Sequence, residues 1–308
     1  MANKCRNLLS GDLDGIAEAL RATYADGIGV NPESDESFPR RKEVIDVTER
    51  LLELVFPGFE RIDSCSLSTE ALLREVYDRL LDLICHAMRS ADKSTVCECA
   101  GGCRCRIDDR CASAALALLK ALPALRESVK KDVAAGYAGD PAATSFDEIV
   151  LSYPGLKAIT VQRLAHVLYV NKVPLLPRMM TEFVHSQTGI DIHPGAKLGD
   201  GIFIDHGTGV VIGETAVLGD NIRIYQGVTL GAGNFPKDAC GMLIKGLKRH
   251  PTIGNNVTIY SGASVLGDVT IGDNSVIGGN VWLTESLPAG TKITASPPEN
   301  KLRFANKK

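Results

Sequence analysis

Residues 253–283 read IGNNVTIYSGASVLGDVTIGDNSVIGGNVWL. An aliphatic side chain returns at every sixth position: Ile253, Ile259, Val265, Ile271, Ile277 and Leu283. Glycine follows several of them, as at Gly254, Gly272 and Gly278, and the fifth position is small or β-branched, as at Val257, Ala263 and Ser275. Neither a helix, with a period of about 3.6, nor a half-buried hairpin strand, with a period of about 2, requires this spacing. A six-residue unit with one inward aliphatic and a turn at a small residue makes one side of a triangular coil. Three units, about 18 residues, complete a turn, and each turn buries its aliphatics against the next.

Toward the N-terminus the same step continues at Ile212, Leu218, Ile224 and Leu230, and before that at Ile192, Leu198 and Ile204. Two interruptions separate these runs. From Ile204 to Ile212 the step is eight and spans Asp205, His206, Gly207, Thr208 and Gly209; from Leu230 to Ile253 it is 23 and ends in Lys248, Arg249, His250 and Pro251. A solenoid absorbs extra residues by extruding them from a corner, and loops on a rigid scaffold are where function concentrates. Both extrusions carry a histidine.

Up to Gln187 apolar residues recur at helical spacing, as at Val44, Val47, Leu51 and Leu54, then Leu72, Leu73, Val76, Leu80 and Leu83. Ser68 and Ser145 read as helix N-caps, while Pro57-Gly58 and Tyr153-Pro154-Gly155 read as breaks. The fold class is therefore α+β: an α-helical domain over 1–187, a parallel β-helix of hexapeptide repeats over 188–290, and a tail over 291–308.

With a net charge of -3 and 23% charged residues, the composition gives no electrostatic case for nucleic acid or for an anionic membrane surface. The N-terminus, MANKCRNLLSGDLDG, has no secretory pattern, and no apolar stretch reaches the about 18 residues of a membrane span. The expectation is a soluble, cytoplasmic protein with a small-molecule substrate. Of the nine cysteines, Cys97, Cys99, Cys103, Cys105 and Cys111 form a C-x-C-x3-C-x-C-x5-C cluster. It offers four thiolates to a structural zinc ion, but the spacing is unlike paired C-x2-C, so free thiols are the favoured reading. Cys5, Cys65, Cys85 and Cys240 read as ordinary small side chains.

Histidine is the side chain suited to accept a proton at neutral pH, and a carboxylate on its other nitrogen steadies the charged form. His206 is the candidate base. Asp191 lies 15 residues earlier, nearly one turn of the coil, and is expected beside it; Asp205 points the other way along an extended segment and reads as a substrate ligand. Arg249 and His250 suit a substrate carboxylate. Three alternatives stand beside this reading: a zinc hydratase of the γ-carbonic-anhydrase kind using His193, His206 and His250, an acyltransferase with a sugar or other acceptor, and a non-catalytic scaffold.

The segments TGIDIHPGA (188–196), DHGTGVVIGETA (205–216) and Arg249-His250-Pro251, with Asp140-Pro141-Ala142 and Tyr153-Pro154-Gly155, resemble the serine acetyltransferases of the hexapeptide-repeat acyltransferase superfamily. The resemblance implies a left-handed coil and acetyl transfer from acetyl-CoA to the hydroxyl of L-serine, the step that commits serine to cysteine, with no catalytic metal. It implies His206 as general base oriented by Asp191. It places Asp140 and Asp205 at the substrate amine, Arg249 and His250 at its carboxylate and the reaction centre, and Gly231, Ser261 and Gly279 along CoA. It further implies a homotrimer or a dimer of trimers, with CoA between neighbouring coils, and O-acetylserine sulfhydrylase as a partner. This chain departs from the family pattern in its longer loop from Ala232 to Lys248, in the cysteine cluster, and in a C-terminus ending in lysines, which argues against that partner.

Overall fold

The structure, a computed structural model, describes residues 10–24, 38–59, 67–91 and 102–296. The chain divides into two compact units, Met1–Phe38 and Pro39–Lys308. The first contains α1 (Ser10–Thr23), which exposes Leu13, Ile16 and Leu20 at helical spacing.

Among the described residues of the second unit six helices precede the coil: α2 (Arg41–Val55), α3 (Thr69–Ala91), α4 (Gly102–Gly139), α5 (Phe146–Ser152), α6 (Pro154–Val170) and α7 (Leu176–Thr188). The stripe read from the sequence is buried at Val44, Val47, Leu51, Leu72, Val76, Leu80 and Leu83. Leu54 and Leu73 are only partly buried, because the contact faces rotate toward Leu52 and Ile84. Both expected caps form: Ser68 Oγ accepts from the Ala71 N–H at 3.3 Å, and Ser145 Oγ from the Glu148 N–H at 3.1 Å. α6 is buried on nearly every side, as a helix wedged between other helices and the coil must be.

The coil consists of short parallel strands in three faces. The first face holds β1 (Asp191–Ile192), β4 (Val211–Ile212), β7 (Thr229–Gly231), β10 (Ser264–Leu266) and β13 (Trp282–Leu283); the second β2 (Lys197–Leu198), β5 (Val217–Leu218), β8 (Thr252–Ile253) and β11 (Thr270–Ile271); the third β3 (Phe203–Ile204), β6 (Arg223–Ile224), β9 (Thr258–Ile259), β12 (Val276–Ile277) and β14 (Lys292–Ile293). Equivalent aliphatics stand in register, Ile192 on Ile212 on Leu230 and Val265 on Leu283, so each inward side chain covers its counterpart in the next turn. The fold is the left-handed parallel β-helix expected from the hexapeptide pattern. At the corner between the second and third faces Asn221, Asn256 and Asn274 hold left-handed φ near 57° and stack amide on amide at 3.1 and 3.2 Å. Asparagine tolerates that conformation better than most residues.

α4 and α6 close the N-terminal end of the coil. Asp132 and Arg163 form a buried pair with two hydrogen bonds, at 2.9 and 3.0 Å. Asp132 also accepts from the Ile202 N–H at 2.8 Å, while Arg163 donates to the carbonyls of Leu198 and Gly199. Gln162 donates to the Ala196 carbonyl at 2.8 Å. At Gly155, on the same helix, an added Cβ would lie 2.3 Å from the Ile204 carbonyl, so only glycine lets α6 sit this close to β3. Among the described residues no helix is long and apolar enough to cross a membrane.

Replacing Arg163 with Ala strands the Asp132 carboxylate in a site that already pushes its pKa up by burial. The expected loss is about 3–5 kcal/mol of stability, measured by urea unfolding; a loss within experimental error would show that the pair does not hold the helices to the coil.

Candidate active site

Two corners of the coil gather the chemically capable side chains. The first lies between the third and first faces, where β3 runs into Asp205, His206 and Gly207. The Asp205 N–H is fixed on the Ile224 carbonyl at 2.9 Å, and the Gly209 N–H on that of Gly189 at 2.8 Å. Between them His206 takes φ 56°, a left-handed conformation that a non-glycine residue holds at a cost of about 1–3 kcal/mol. The turn pushes the imidazole into solvent, with 74% of its side chain exposed and its Nε2 4.0 Å from Asp205 Oδ1. α4 delivers Asp140 to the same corner. Asp140 Oδ2 accepts from the Tyr153 hydroxyl at 2.5 Å and Oδ1 from the Ala142 N–H at 2.8 Å. These bonds, Tyr153 foremost, hold the Asp140 carboxyl below its ordinary value, and His206 adds to the effect. The same carboxylate pushes the Tyr153 phenol up to about 12, so it remains a donor at any physiological pH.

The second corner lies between the first and second faces. It holds His193 after β1, Glu214 and Thr215 after β4, and Lys248, Arg249 and His250 before β8. Thr215 is its hub. Its Oγ accepts from the backbone N–H groups of Arg249 and His250 at 3.0 and 3.2 Å, and contacts His250 Nδ1 at 2.9 Å. The Thr215 N–H donates to the same Nδ1 at 3.1 Å. The imidazole packs against Gly213, where an added Cβ would meet Cδ2 and Nε2 of the ring at 2.0 and 2.2 Å. Burial foremost, then the Arg249 charge, pushes the His250 pKa down to about 4. Glu214 accepts from the Tyr169 hydroxyl at 2.8 Å and from Arg249 Nη2 at 2.5 Å. Burial opposes its charge, but these two partners outweigh it and keep the carboxyl below its usual value. His193, also depressed by burial, stands edge-on to Tyr169 with ring centroids 5.7 Å apart.

The structure therefore groups the expected residues as Asp140, Asp205 and His206 at one edge of the first face and Arg249 with His250 at the other. Asp191 has a partner that the spacing did not suggest. It begins the first face from the corner that carries His206, yet no hydrogen bond joins the two. Arg178, from α7, captures its carboxylate instead, with Nη1 3.1 Å from Oδ1. Arg249, expected to be free for a ligand, has one edge committed to Glu214. Ser261 and Gly279 stack at later turns of the His206 corner, joined through the Asn280 N–H on the Ser261 carbonyl at 2.9 Å. Gly231 ends β7 and lies across the face from them.

Four contributors escaped the sequence reading. Thr215 and Glu214 act across 35 residues, a separation that follows only from the size of the extruded loop. Tyr225 and Tyr260 stack at 5.2 Å on the His206 edge, one turn apart; their equivalent places in the repeat were the available signal. The long loop contains a bridge between Lys237 and Leu243, and it encloses with Glu214 and Arg249 a cavity of about 360 Å³.

The histidines weighed for zinc are not gathered: among the described residues the one acidic and histidine trio at ligand spacing is Glu182, His185 and Asp191, and Arg178 pairs with both of its carboxylates. Of the cysteine cluster, Cys97 and Cys99 and the side chains of Cys103 and Cys105 lie outside the described residues, as do Cys5 and Cys65. Cys111 is buried and its thiol is pushed up to about 12, by burial first and then by Cys85. Cys85 is partly buried and Cys240 exposed.

A family model described as bacterial transferase hexapeptide (six repeats) matches residues 250–285. A Synechococcus elongatus protein named serine acetyltransferase, plasmid, is 58% identical over 178 residues, covering 58% of this chain and 56% of that one, so the match spans little more than half of that relative. The Helicobacter pylori (strain 26695) serine acetyltransferase is 47% identical over 158 residues, 51% of this chain and 86% of its own length. Among solved structures, Entamoeba histolytica serine acetyltransferase 1 in complex with L-cysteine superposes with a TM-score of 0.69 at 35% identity, over 84% of this chain and 90% of that one.

His250 is neutral in the fold between its folded pKa of about 4 and its ordinary value of 6.5, whereas the unfolded chain binds a proton there. Its contribution to stability is therefore complete above pH 6.5 and is lost as the pH falls toward 4. Urea midpoints measured across that window should fall with acid in the natural chain and fall less in His250→Gln; parallel curves would remove His250 from the account.

Proposed function

Because the chain belongs to the serine acetyltransferase family, we propose that it transfers the acetyl group of acetyl-CoA to the hydroxyl of L-serine, giving O-acetyl-L-serine and CoA. The observation that carries this reading is His206, thrust into solvent from a strained corner with the carboxylates of Asp205 and Asp140 on its side. His206 takes the serine hydroxyl proton as that oxygen attacks the thioester carbonyl. The carbon–sulfur bond then breaks, and the imidazolium returns the proton to the departing thiolate. Asp140 and Asp205 meet the substrate amine, and Arg249 with His250 its carboxylate. CoA lies along the edge that runs from His206 through Ser261 to Gly279, with Gly231 at its far side.

The two charged corners flank opposite edges of one face, so a single coil does not close around a substrate with both charges. A homotrimer of coils resolves this, since it sets the His206 edge of one copy against the Arg249 edge of the next. Asp191 is assigned to steady the His206 imidazolium. Its pair with Arg178 is 41% exposed on the arginine side, and such pairs contribute at most about 1 kcal/mol. Exchanging Arg178 for a charged imidazole is within that range.

His206→Ala should lower kcat by about 10²- to 10⁴-fold while CoA still binds, with thiol release from acetyl-CoA as the assay. Asp191→Asn should act on kcat, whereas Asp205→Asn and Arg249→Ala should raise the KM for serine. If Asp205→Asn alone depresses kcat, the orienting carboxylate is Asp205. A panel of serine, homoserine and amino sugars tests the acceptor: turnover of an amino sugar in preference to serine would defeat the reading.

A further inference from the structure

Thr215 has no part in the chemistry proposed above, yet its hydroxyl and its N–H are both directed at Arg249 and His250, while its carbonyl accepts from Lys248 Nζ. A hydroxyl has one proton and two lone pairs. The lone pairs take the N–H groups of Arg249 and His250, which leaves the proton for His250 Nδ1. The Thr215 N–H reaches the same nitrogen, and a backbone N–H only donates, so Nδ1 carries a lone pair and the ring proton resides on Nε2.

The rest of the pocket fixes what Nε2 faces. The ring is seated on Gly213 and the residue is 7% exposed. Among the described residues Nε2 has no hydrogen-bond partner, while no fully buried side-chain nitrogen or oxygen lacks one. Nε2 therefore keeps some accessible surface where the ring packs beside Gly213. The charged and titratable groups around it are Arg249, Glu214, Lys248 and His193. With two cations beside it, a ring that stays neutral offers a hydrogen bond without exchanging a proton.

We infer that Thr215 is a positioning residue: by holding Nδ1 of His250 as an acceptor, it makes the imidazole a fixed Nε2–H donor to an anionic oxygen of the substrate bound beside Arg249. The inference rests on the acetyl-transfer reading for the identity of that oxygen, but the tautomer itself does not. It divides the work between the two histidines. His206, exposed, moves a proton; His250, locked, holds an oxygen.

The test uses the full chain with ¹⁵N-labelled histidine, the His250 signals being those that vanish in His250→Gln. The natural chain should show an unprotonated Nδ1 and a protonated Nε2 from about pH 5 to 8. Thr215→Val should give a mixed or titrating ring and raise the serine KM about tenfold, and Thr215→Ser should restore both. A protonated Nδ1 in the natural chain overturns the inference, as does a Thr215→Val chain with natural spectra and natural KM. If Thr215→Val fails to fold, the natural chain and Thr215→Ser still decide the tautomer. Should the spectra agree while serine is not acetylated, the functional reading has failed and the lock stands.

Discussion

The buried pair of Asp132 and Arg163 is the constraint on which the site depends. The first turn of a parallel coil has no turn beneath it, so its backbone groups are left facing helices rather than water. Arg163 and Gln162 answer the carbonyls of Leu198, Gly199 and Ala196, and Asp132 answers the Ile202 N–H. Desolvating two charges is costly unless geometry and further hydrogen bonds compensate, and here each ion is fully engaged. The pair also fixes positions at a distance. Asp140 follows Asp132 by two turns at the end of α4, and Tyr153 immediately precedes α6, so the contact that closes the coil also brings a carboxylate and its phenol to the corner of His206.

Much of the fold was legible because burial repeats. Equivalent aliphatics must cover one another turn after turn, and that demand leaves the same chemistry at every sixth position from Ile253 to Leu283. The two breaks in the step marked both corners of the site for the same reason. What stayed hidden is contact between residues whose separation nothing periodic dictates. Asp132 and Arg163 look like surface charges on helices until α4 and α6 are placed. Thr215 resembles any turn residue of a repeat until the loop returns the chain above it. The ion pair of Asp191 stayed hidden too, because coil spacing counts residues and does not see Arg178 arriving from α7.

The electrostatics of the two corners differ in kind. At the His206 corner Asp205 stands beside an exposed imidazole and Asp140 is bonded to neutral donors, so both carboxylates are available to a cation. At the Arg249 corner the charges are already matched, Arg249 with Glu214, and Glu214 with Tyr169. That matching keeps the guanidinium in one orientation, with Nη2 on Glu214 and Nη1 by the Leu247 carbonyl. On the proposed reading a zwitterion would meet a preorganised donor on one side and an accessible acid on the other, with little side-chain freedom lost at the cationic side.

The repeat also separates reach from recognition. His206 belongs to the turn next to the helical cap and Arg249 with His250 to the third turn on the opposite edge, whereas Ser261 and Gly279 continue the His206 edge away from the cap. Each added or deleted turn would change the length of that edge by one rung, about 4.8 Å, and leave the capped end untouched. On the proposed reading the coil works as a ruler fixed at one end: the length of an elongated donor is measured in rungs from the corner of His206.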